Sequence, residues 1–271
     1  MDDLRRLNIS NNYKAGPRQR GFYCRVDGAM QHLKGITKRI ASKIKKVKPA
    51  AGSHRRTALK LFKLPPGCSP LINTRANGER IHRHVMHNVV CPHIREGCQC
   101  KRVNGKATTP LQNQKVSVKA CVNAARSFGE DHGLIPLDAE VIVYNKDLKM
   151  ATRVDAIYQS ADSVKRSDPV TLVSWKSGSG PRDEIELERH RAQVAFEWHS
   201  LTETHRVPVD HAYIVYLCAG RQMGSKRVNG FYHAEQVFQD EVPALVARLG
   251  KASKKTKTTT TTTKKTAKKR K

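Results

Sequence analysis

The sequence predicts a mixed α/β domain, in which helices flank a mixed central sheet, between two strongly basic ends. Between residues 71 and 250, segments with apolar residues at strand spacing alternate with segments at helical spacing. Charge separates this middle part from the ends: the chain has a net charge of +28, yet its central 180 residues carry only +4. We therefore expect one globular domain at residues 71–250, and we expect the ends to bind a polyanion, which is most often nucleic acid.

Residues 1–70 are predicted to form a basic N-terminal arm with one amphipathic helix. The segment KGITKRIASKIKKV places Ile36, Ile40 and Ile44 at every fourth position, with lysines between them. Three roles are consistent with this helix: it packs on the core with a solvated basic face, it contacts DNA, or it lies on a membrane surface. The basic residues that we consider here as DNA ligands are Lys43, Lys45, Lys46 and Lys48.

The elements of the central domain are predicted in chain order from their apolar spacing. Residues 74–90 have the pattern of a helix, and residues 114–132 predict a second helix that ends near Gly133. Residues 139–145 and 151–159 have apolar alternation, and the NKDLKM between them indicates a hairpin turn. The remaining predicted elements are a strand over 170–175, a long helix over 186–205, a strand over 211–219, and a final helix over 234–250 that Pro243 starts or interrupts.

A cysteine- and histidine-rich insertion is predicted at residues 91–100. Its thiolates and imidazole suit tetrahedral Zn²⁺, but their spacing is not that of a standard zinc finger. A structural zinc site, an iron–sulfur cluster and a loop with unliganded thiols are all consistent with it. The possible zinc ligands are Cys91, His93, Cys98 and Cys100, and Cys68, His87 or Cys121 could replace one of them. Seven unevenly spaced cysteines without a secretion signal predict reduced thiols and no disulfide framework.

Residues 251–271 form a Lys/Thr-rich tail that we expect to be disordered, because it has no large apolar side chain. Its end, KKTAKKRK, is typical of a nuclear import signal but also of a plain DNA-tethering tail. The tail residues that we consider as DNA ligands are Lys254, Lys255, Lys268, Lys269 and Arg270. No apolar run is long enough to span a membrane, so we expect an intracellular, nuclear protein without a membrane partner.

Four polar residues occur in an order that indicates phosphodiester chemistry. Glu140 and Asp155 lie on the predicted hairpin, Lys176 follows the next strand, and Gln193 lies on the long helix. A carboxylate can hold Mg²⁺ or Mn²⁺, which polarises a phosphate and lowers the pKa of a water molecule. A lysine can then orient that water or neutralise the developing charge. The four residues therefore predict the core of a metal-dependent nuclease.

This order of elements and residues resembles the PD-(D/E)XK nuclease superfamily, nearest to its RecB-like and viral alkaline exonucleases. The resemblance covers roughly residues 74–220, and the matching segments are NGERIHRHVMH, AEVIVYN, ATRVDAI, VSWKSG and RHRAQVAF. It implies a restriction-endonuclease-like core and an Mg²⁺- or Mn²⁺-dependent deoxyribonuclease, an exonuclease sooner than an endonuclease. Such a protein would act in DNA replication, recombination or repair. Its small size and basic ends also suggest a viral or mobile-element origin.

The resemblance assigns a role to each matching residue. Asp155 would be the central metal ligand, Trp175 would add its backbone carbonyl, and His82 would approach a second metal position. Glu140 would border the site, and Lys176 would position the attacking water. Gln193 would contact DNA or the hydrogen-bond network of the site. Each residue also has an ordinary interpretation, as a surface acid, a solvated lysine, a helix-surface amide or a core histidine.

The sequence departs from the family pattern at three positions. Ser174 stands where an acid is expected two residues before Lys176, Thr152 stands for a glycine, and Glu197 stands for an aromatic residue. A hydroxyl brings no charge to a hard cation, so another acid supplies the charge or the site is weakened. The candidate replacements are Glu140, Asp183, Glu184 and Glu186. Two other hypotheses follow: a non-catalytic nucleic-acid-binding protein on a degraded nuclease fold, and a zinc-stabilised basic structural protein.

Overall fold

The predicted α/β fold class is confirmed by a mixed sheet with helices on both faces. The computed structural model describes residues 13–14, 21–44, 64–70, 75–93, 102–103, 106–107, 110–163, 168–178, 180–181, 183–222, 224 and 226–250. Within these residues, nine strands form one sheet and two short strands form a separate pair. No helix in this part of the chain is long and apolar enough to cross a membrane.

The strands and helices are numbered in chain order. The large sheet contains β1 (Tyr13–Lys14), β2 (Gly21–Val26), β3 (Ala29–Gly35), β4 (Cys68–Pro70), β7 (Leu134–Asn145), β8 (Met150–Ser160), β9 (Val170–Ser177), β10 (Val209–Gln222) and β11 (Val228–Val237), and the separate pair is β5 (Arg102–Val103) with β6 (Lys106–Ala107). The α-helices are α1 (Ile36–Lys43), α2 (Arg75–Val85), α3 (Val116–Asp131), α4 (Glu184–His199) and α5 (Val242–Gly250). A π-helical turn extends α2 over Met86–Val90 and α4 over Ser200–Thr204.

Strand β8 lies at the centre of the sheet. Along one edge it pairs antiparallel with β7 over its whole length. On the other edge it pairs with β3 in parallel only at Met150 and Ala151, and with β9 antiparallel only over 156–158. Among the described residues, no strand pairs with 152–155 on this edge. The sheet is therefore open between β3 and β9.

The sheet continues from β9 through two long strands. β10 pairs in parallel with β9 and antiparallel with β11, and its end also pairs with β4. Helices α2 and α3 cover one face, where Phe128 packs edge-on against Trp175 at a ring-centroid distance of 5.6 Å. Helices α4 and α5 cover the other face, where Trp198 and Leu201 share a core with Ile214. In a helix that packs on a sheet, apolar residues recur at every third or fourth position and form one apolar face. The two cores lie on opposite faces of the sheet.

Helix α1 packs on the core, which confirms the first of its three predicted roles. Its side chains Ile36, Ile40 and Ile44 are all at least 95% buried, in a cluster with Phe196 of α4. Arg189 of α4 donates two hydrogen bonds, of 2.7 and 3.0 Å, to the carbonyl oxygen of Ile44. A carbonyl at a helix end needs such a donor, so Arg189 satisfies the C-terminus of α1 and ties it to α4.

Two features of the fold differ from the sequence prediction. The predicted helix over 234–250 is wrong at its start, because Ala234–Val237 belongs to β11 and the helix begins at Val242. Pairing with β10, where Ala234 lies opposite Val215, outweighs the local helical spacing. The β2–β3 hairpin within residues 1–70 was not predicted, although its two-residue turn is Asp27–Gly28, with φ of 48° and 82°. Asp-Gly is the usual signal for this turn, which needs two positive φ angles.

Candidate functional site

The candidate site forms where β8 and β9 separate. The register of the two strands ends at Ala156 opposite Val173, so the next residues, Asp155 and Ser174, face each other without backbone pairing. The Asp155 side chain bridges this gap. Its Oδ2 accepts hydrogen bonds from the Trp175 N–H at 3.0 Å and from the Ser174 hydroxyl at 3.3 Å. A strand residue directs its N–H and C=O to the same edge, so the Trp175 carbonyl also faces the Asp155 side.

His82, Glu140 and Asp155 could hold a metal ion together. The His82 Nε2 atom lies 3.0 Å from Glu140 Oε1 and 3.9 Å from Asp155 Oδ1. One ligand atom from each of the three residues lies within 4.8 Å of the others. Carboxylate oxygens suit Mg²⁺, and an added imidazole suits Mn²⁺ and other transition metals. The chemistry of this donor set therefore fits the predicted cation.

The backbone of Glu140 is held in an unusual conformation. Its φ is 57°, in the left-handed region that a residue with a side chain rarely adopts. Its neighbours Ala139 and Val141 pair with Ala156 and Val154, which places Glu140 across from Asp155. Such a conformation costs about 1–3 kcal/mol and persists only where the surrounding structure holds it, as it often does at functional sites. The Glu140 carboxylate also forms an ion pair with Arg153.

Helix α2 brings His82 to the site through a close approach to β9 at Gly78. A Cβ atom on Gly78 would lie 2.6 Å from Ser177 Oγ and 3.7 Å from Ser177 Cβ, so a larger side chain here would push the helix away. Burial lowers the pKa of His82, but the charges of Asp155 and Glu140 outweigh burial and hold the pKa above its usual range. A metal would have to displace this proton, since it binds neutral imidazole.

Lys176 is connected to Asp155 through Ser174. The Lys176 ammonium donates to the Ser174 hydroxyl at 2.8 Å and to Gln193 Oε1 at 3.4 Å. Ser174, which is 1% exposed, in turn donates to Asp155. Ser174 is therefore a neutral link between the ammonium of Lys176 and the carboxylate of Asp155.

A second buried acid, Glu197, belongs to the site and was not predicted. It is 1% exposed and accepts a hydrogen bond from Gln193 Nε2 at 2.9 Å, with the Thr152 hydroxyl at 3.5 Å. Burial raises the pKa of Glu197 to about 8, and the negative charge of Asp155 adds to this rise. Gln193, Lys176 and Thr152 favour the carboxylate and offset part of the effect. Glu197 is therefore mostly protonated at neutral pH before any cation binds.

Ser174, Thr152 and Glu197, the three positions at which the sequence departs from the nuclease pattern that it resembles, lie in one hydrogen-bond network. Thr152 contacts Glu197, Glu197 accepts from Gln193, and Gln193 and Ser174 both accept from Lys176. The spacing of Gln193 and Glu197 was a usable signal, because residues four apart share one helix face.

The other acids proposed as replacements lie elsewhere on α4. Asp183 is the N-cap residue, whose carboxylate accepts from the Glu186 N–H at 2.8 Å, and Glu184 and Glu186 lie in the first helical turn. Acidic residues at these positions stabilise a helix N-terminus. Gln193 is seven residues beyond Glu186, which is about 10 Å along a helix. Asp183, Glu184 and Glu186 therefore lie at the N-terminal end of α4, and the group of possible metal ligands among the described residues contains none of them.

The predicted zinc ligands and DNA ligands are only partly described. Cys91 is buried in a short 3-10 helix and is disulfide-bonded, so the expectation of a reduced thiol is wrong for this residue. His93 is exposed, and Cys98 and Cys100 lie outside the described residues. The thiols of Cys24, Cys68, Cys121 and Cys218 are free. Lys43 lies half-buried in the last turn of α1, and the other predicted DNA ligands, Lys45, Lys46, Lys48, Lys254, Lys255, Lys268, Lys269 and Arg270, lie outside the described residues.

Comparison with known proteins gives no family for this chain. No protein-family model matches it, and no curated protein matches it. The geometry of the site is therefore the basis on which a function is assigned.

Proposed function

We propose that this protein is a metal-dependent nuclease that hydrolyses phosphodiester bonds in DNA. The observation that carries the proposal is the position of Asp155, whose two carboxylate oxygens face two different sets of groups. Oδ1 faces His82 and, with Glu140, completes a three-residue donor set. Oδ2 is linked through Ser174 to the ammonium of Lys176. One carboxylate thus belongs to the possible cation site and is linked to a lysine ammonium, an arrangement that suits metal-assisted hydrolysis of a phosphodiester.

The residues that would hold the cation are Asp155, Glu140 and His82, with the backbone carbonyl of Trp175. A bound Mg²⁺ or Mn²⁺ supplies charge stabilisation for the phosphate and a water molecule of lowered pKa. The ion pair with Arg153 keeps Glu140 in place before the cation binds, and the gap between the strands leaves Asp155 accessible at 13% exposure.

Lys176 is held ready to orient a water molecule or to neutralise developing charge. An ammonium has three N–H donors, and the hydrogen bonds to Ser174 and Gln193 use two of them. The third donor can reach a water molecule or a phosphate oxygen. Because Ser174 and Gln193 are both fixed on packed elements, the ammonium needs little reorganisation when a phosphate arrives.

Glu197 supplies the acid that Ser174 lacks. It is buried beside the same lysine and glutamine, and its raised pKa responds to the charge of Asp155. A cation near Asp155 would favour the ionised form of Glu197, because opposite charges lower the pKa of an acid. The site then has a second carboxylate from a helix in place of one from the strand. This supports a relocated acid over a degraded nuclease site.

Cleavage of a linear DNA duplex in Mg²⁺ or Mn²⁺ tests the proposal. Asp155→Asn and Lys176→Ala should each lower the cleavage rate by about 10²–10⁴-fold, the typical contribution of one positioned catalytic group. DNA binding should persist in both variants, because it depends on the basic ends. The matched controls are Asp147→Asn, in the exposed turn between β7 and β8, and Lys226→Ala, at an exposed position before β11, which remove the same charges.

Two results would contradict the proposal. If Asp155→Asn and Lys176→Ala cleave DNA at the wild-type rate, the activity belongs to another site or to a contaminant. If the wild-type protein binds DNA but cleaves neither DNA nor RNA in either cation, the protein is a non-catalytic nucleic-acid-binding protein with a nuclease-like arrangement of residues.

A further inference from the structure

Strand β11 is the last strand at one end of the large sheet. All 10 of its residues pair with β10 in an unbroken antiparallel register. Among the described residues, no strand pairs with its outer edge. Every residue of β11 except Val237 is half-buried, as expected for a strand whose faces are covered and whose edge is open. The backbone N–H and C=O groups along such an edge can pair with a strand of another chain.

The long strand β7, at another edge of the sheet, is protected from such pairing, whereas β11 is not. β7 contains Pro136, its register with β8 shifts at that residue, and its Tyr144 N–H group donates to His205 Nε2 at 3.2 Å. Proline, irregular pairing and lysine side chains all protect an edge strand. The sequence of β11, VNGFYHAEQV, contains neither proline nor lysine, and its register has no shift. The acid of this strand, Glu235, forms an ion pair with helix α4.

The two ends of β11 carry opposite charges beside an exposed aromatic ring. Arg227 precedes the strand and Asp240 follows it, and both are exposed. Phe238 directly follows the strand and is 53% exposed. If two copies of β11 paired antiparallel over their whole length, Arg227 of each copy would lie opposite Phe238 of the other and close to its Asp240. A second copy of the chain would therefore cover both rings and bring opposite charges together at both ends.

The rest of the molecule is compatible with this pairing. The net charge of +28 opposes association of two copies, but the central 180 residues carry only +4 of it. Salt at about 0.15 M screens charges that are more than about 8 Å apart. Strands β9 and β10 lie between β11 and β8, so pairing at β11 leaves the candidate site open.

We infer that the protein forms a symmetric homodimer in which the β11 strands of two copies pair antiparallel, so that their sheets become one. A strand of another protein could use the same backbone groups. The Arg227 and Asp240 charges and the Phe238 ring favour a second copy, because a two-fold axis makes each of these contacts twice. The inference goes beyond the proposed nuclease function and does not depend on it.

Sedimentation equilibrium of the full chain, without DNA and at about 0.15 M salt, tests the dimer directly. The expected mass is twice the chain mass of 30.4 kDa, and it should decrease on dilution. Asp240→Lys and Arg227→Glu should each raise the dissociation constant about tenfold, because each places like charges together at both ends of the interface. The double variant with both changes exchanges the two charges and should restore the wild-type dissociation constant.

Phe238→Ala tests the apolar part of the interface and should also raise the dissociation constant. Met30→Ala is its matched control, because Met30 is 47% exposed on β3 and should not contribute to the dimer. Asp147→Lys is the matched control for the charge changes, because it makes the same substitution in the exposed turn between β7 and β8. Thermal unfolding of each variant verifies that the fold is intact. Recovery in the double variant would also exclude damage to α5 by Asp240→Lys.

Three results would overturn the dimer. A mass of one chain at every concentration would show that β11 does not pair with a second copy. A dimer whose dissociation constant is the same in all variants would be formed through another surface. Weakening in both charge variants without recovery in the double variant would mean that Arg227 and Asp240 do not face each other, and would exclude the antiparallel pairing.

Discussion

Glu197 is an acid that the protein buries completely, and its protonation should couple folding to pH. Its pKa is about 8 in the folded protein, against an ordinary value near 4.5. Between these two values the folded state binds more protons than the unfolded state, so the free energy of unfolding decreases as the pH rises from about 4.5 to about 8. The slope from one such group reaches about 1.4 kcal/mol per pH unit.

Glu197→Gln should therefore raise the free energy of unfolding at pH 8 and lower the rate of cleavage. Glutamine keeps the shape and can still accept from Gln193, but it does not titrate. In EDTA, we expect the variant to be more stable than the wild type at pH 8 and the difference to decrease towards pH 4.5. Mn²⁺-dependent cleavage should decrease, because the second carboxylate is gone. Urea unfolding across this pH range gives the first result, and parallel stability curves would mean that Glu197 is not buried as a neutral acid.

At the level of single residues, the sequence identified most of the site but not all of it. Glu140, Asp155, Lys176 and Gln193 were predicted because each follows a recognisable strand or helix pattern, and the structure brings all four together. Glu197 lies four residues after Gln193 on the same face of α4, so the spacing indicated that it could reach the site. Its complete burial was not predictable from local spacing, because the tertiary packing of residues such as Phe196 and Trp198 sets it.

Helix α2 approaches β9 closely at Gly78, and this close approach positions His82 in the site. Gly78→Leu should displace α2 from β9, because the side chain would overlap Ser177. We expect Mn²⁺ affinity to decrease about 10–100-fold, as for residues that orient a metal ligand. Titration calorimetry measures this directly. Ser177→Gly in the same protein should restore part of the affinity by vacating the space.

Two controls make this interpretation specific. Gly78→Ala should be close to the wild type, because the exposed Ser177 hydroxyl can rotate away and alanine favours the helix. Ser127→Leu adds the same bulk at an exposed position of α3 and should leave Mn²⁺ affinity unchanged. If Ser177→Gly does not improve Gly78→Leu, the loss comes from the helix itself and not from its contact with β9.

Elements with strong local patterns were predicted more successfully than those that depend on distant partners. Helix α3 and the β7–β8 hairpin were predicted because helical spacing and a polar turn are local signals. The last four residues of β11, Ala234–Val237, were taken for helix because most of this strand is only half-buried and its pairing with β10 is not visible in the sequence. The Asp27–Gly28 turn was a local signal that the basic composition of residues 1–70 obscured.

In the whole molecule, the two basic ends differ in how they relate to the fold. Residues 21–44 contribute β2, β3 and α1, and the side chains of Ile36, Ile40 and Ile44 in this segment are buried. Burial of one isoleucine contributes about 1.5–3 kcal/mol, so this part of the chain supports the domain as well as carrying charge. The last helix ends at Gly250, before the ten basic residues of the C-terminal tail.

Deletion of residues 251–271 should consequently weaken DNA binding and leave the stability of the domain unchanged. The deletion removes 10 Lys/Arg and no acid. Each phosphate contact that is lost should make the dependence of log affinity on log salt shallower by about 0.9 for duplex DNA. Fluorescence anisotropy at several salt concentrations gives this slope, and thermal unfolding gives the stability.

Replacing the same ten residues with glutamine is the matched control, because it keeps the length and removes only the charge. An unchanged slope in both variants would mean that DNA contacts the folded domain and not the tail.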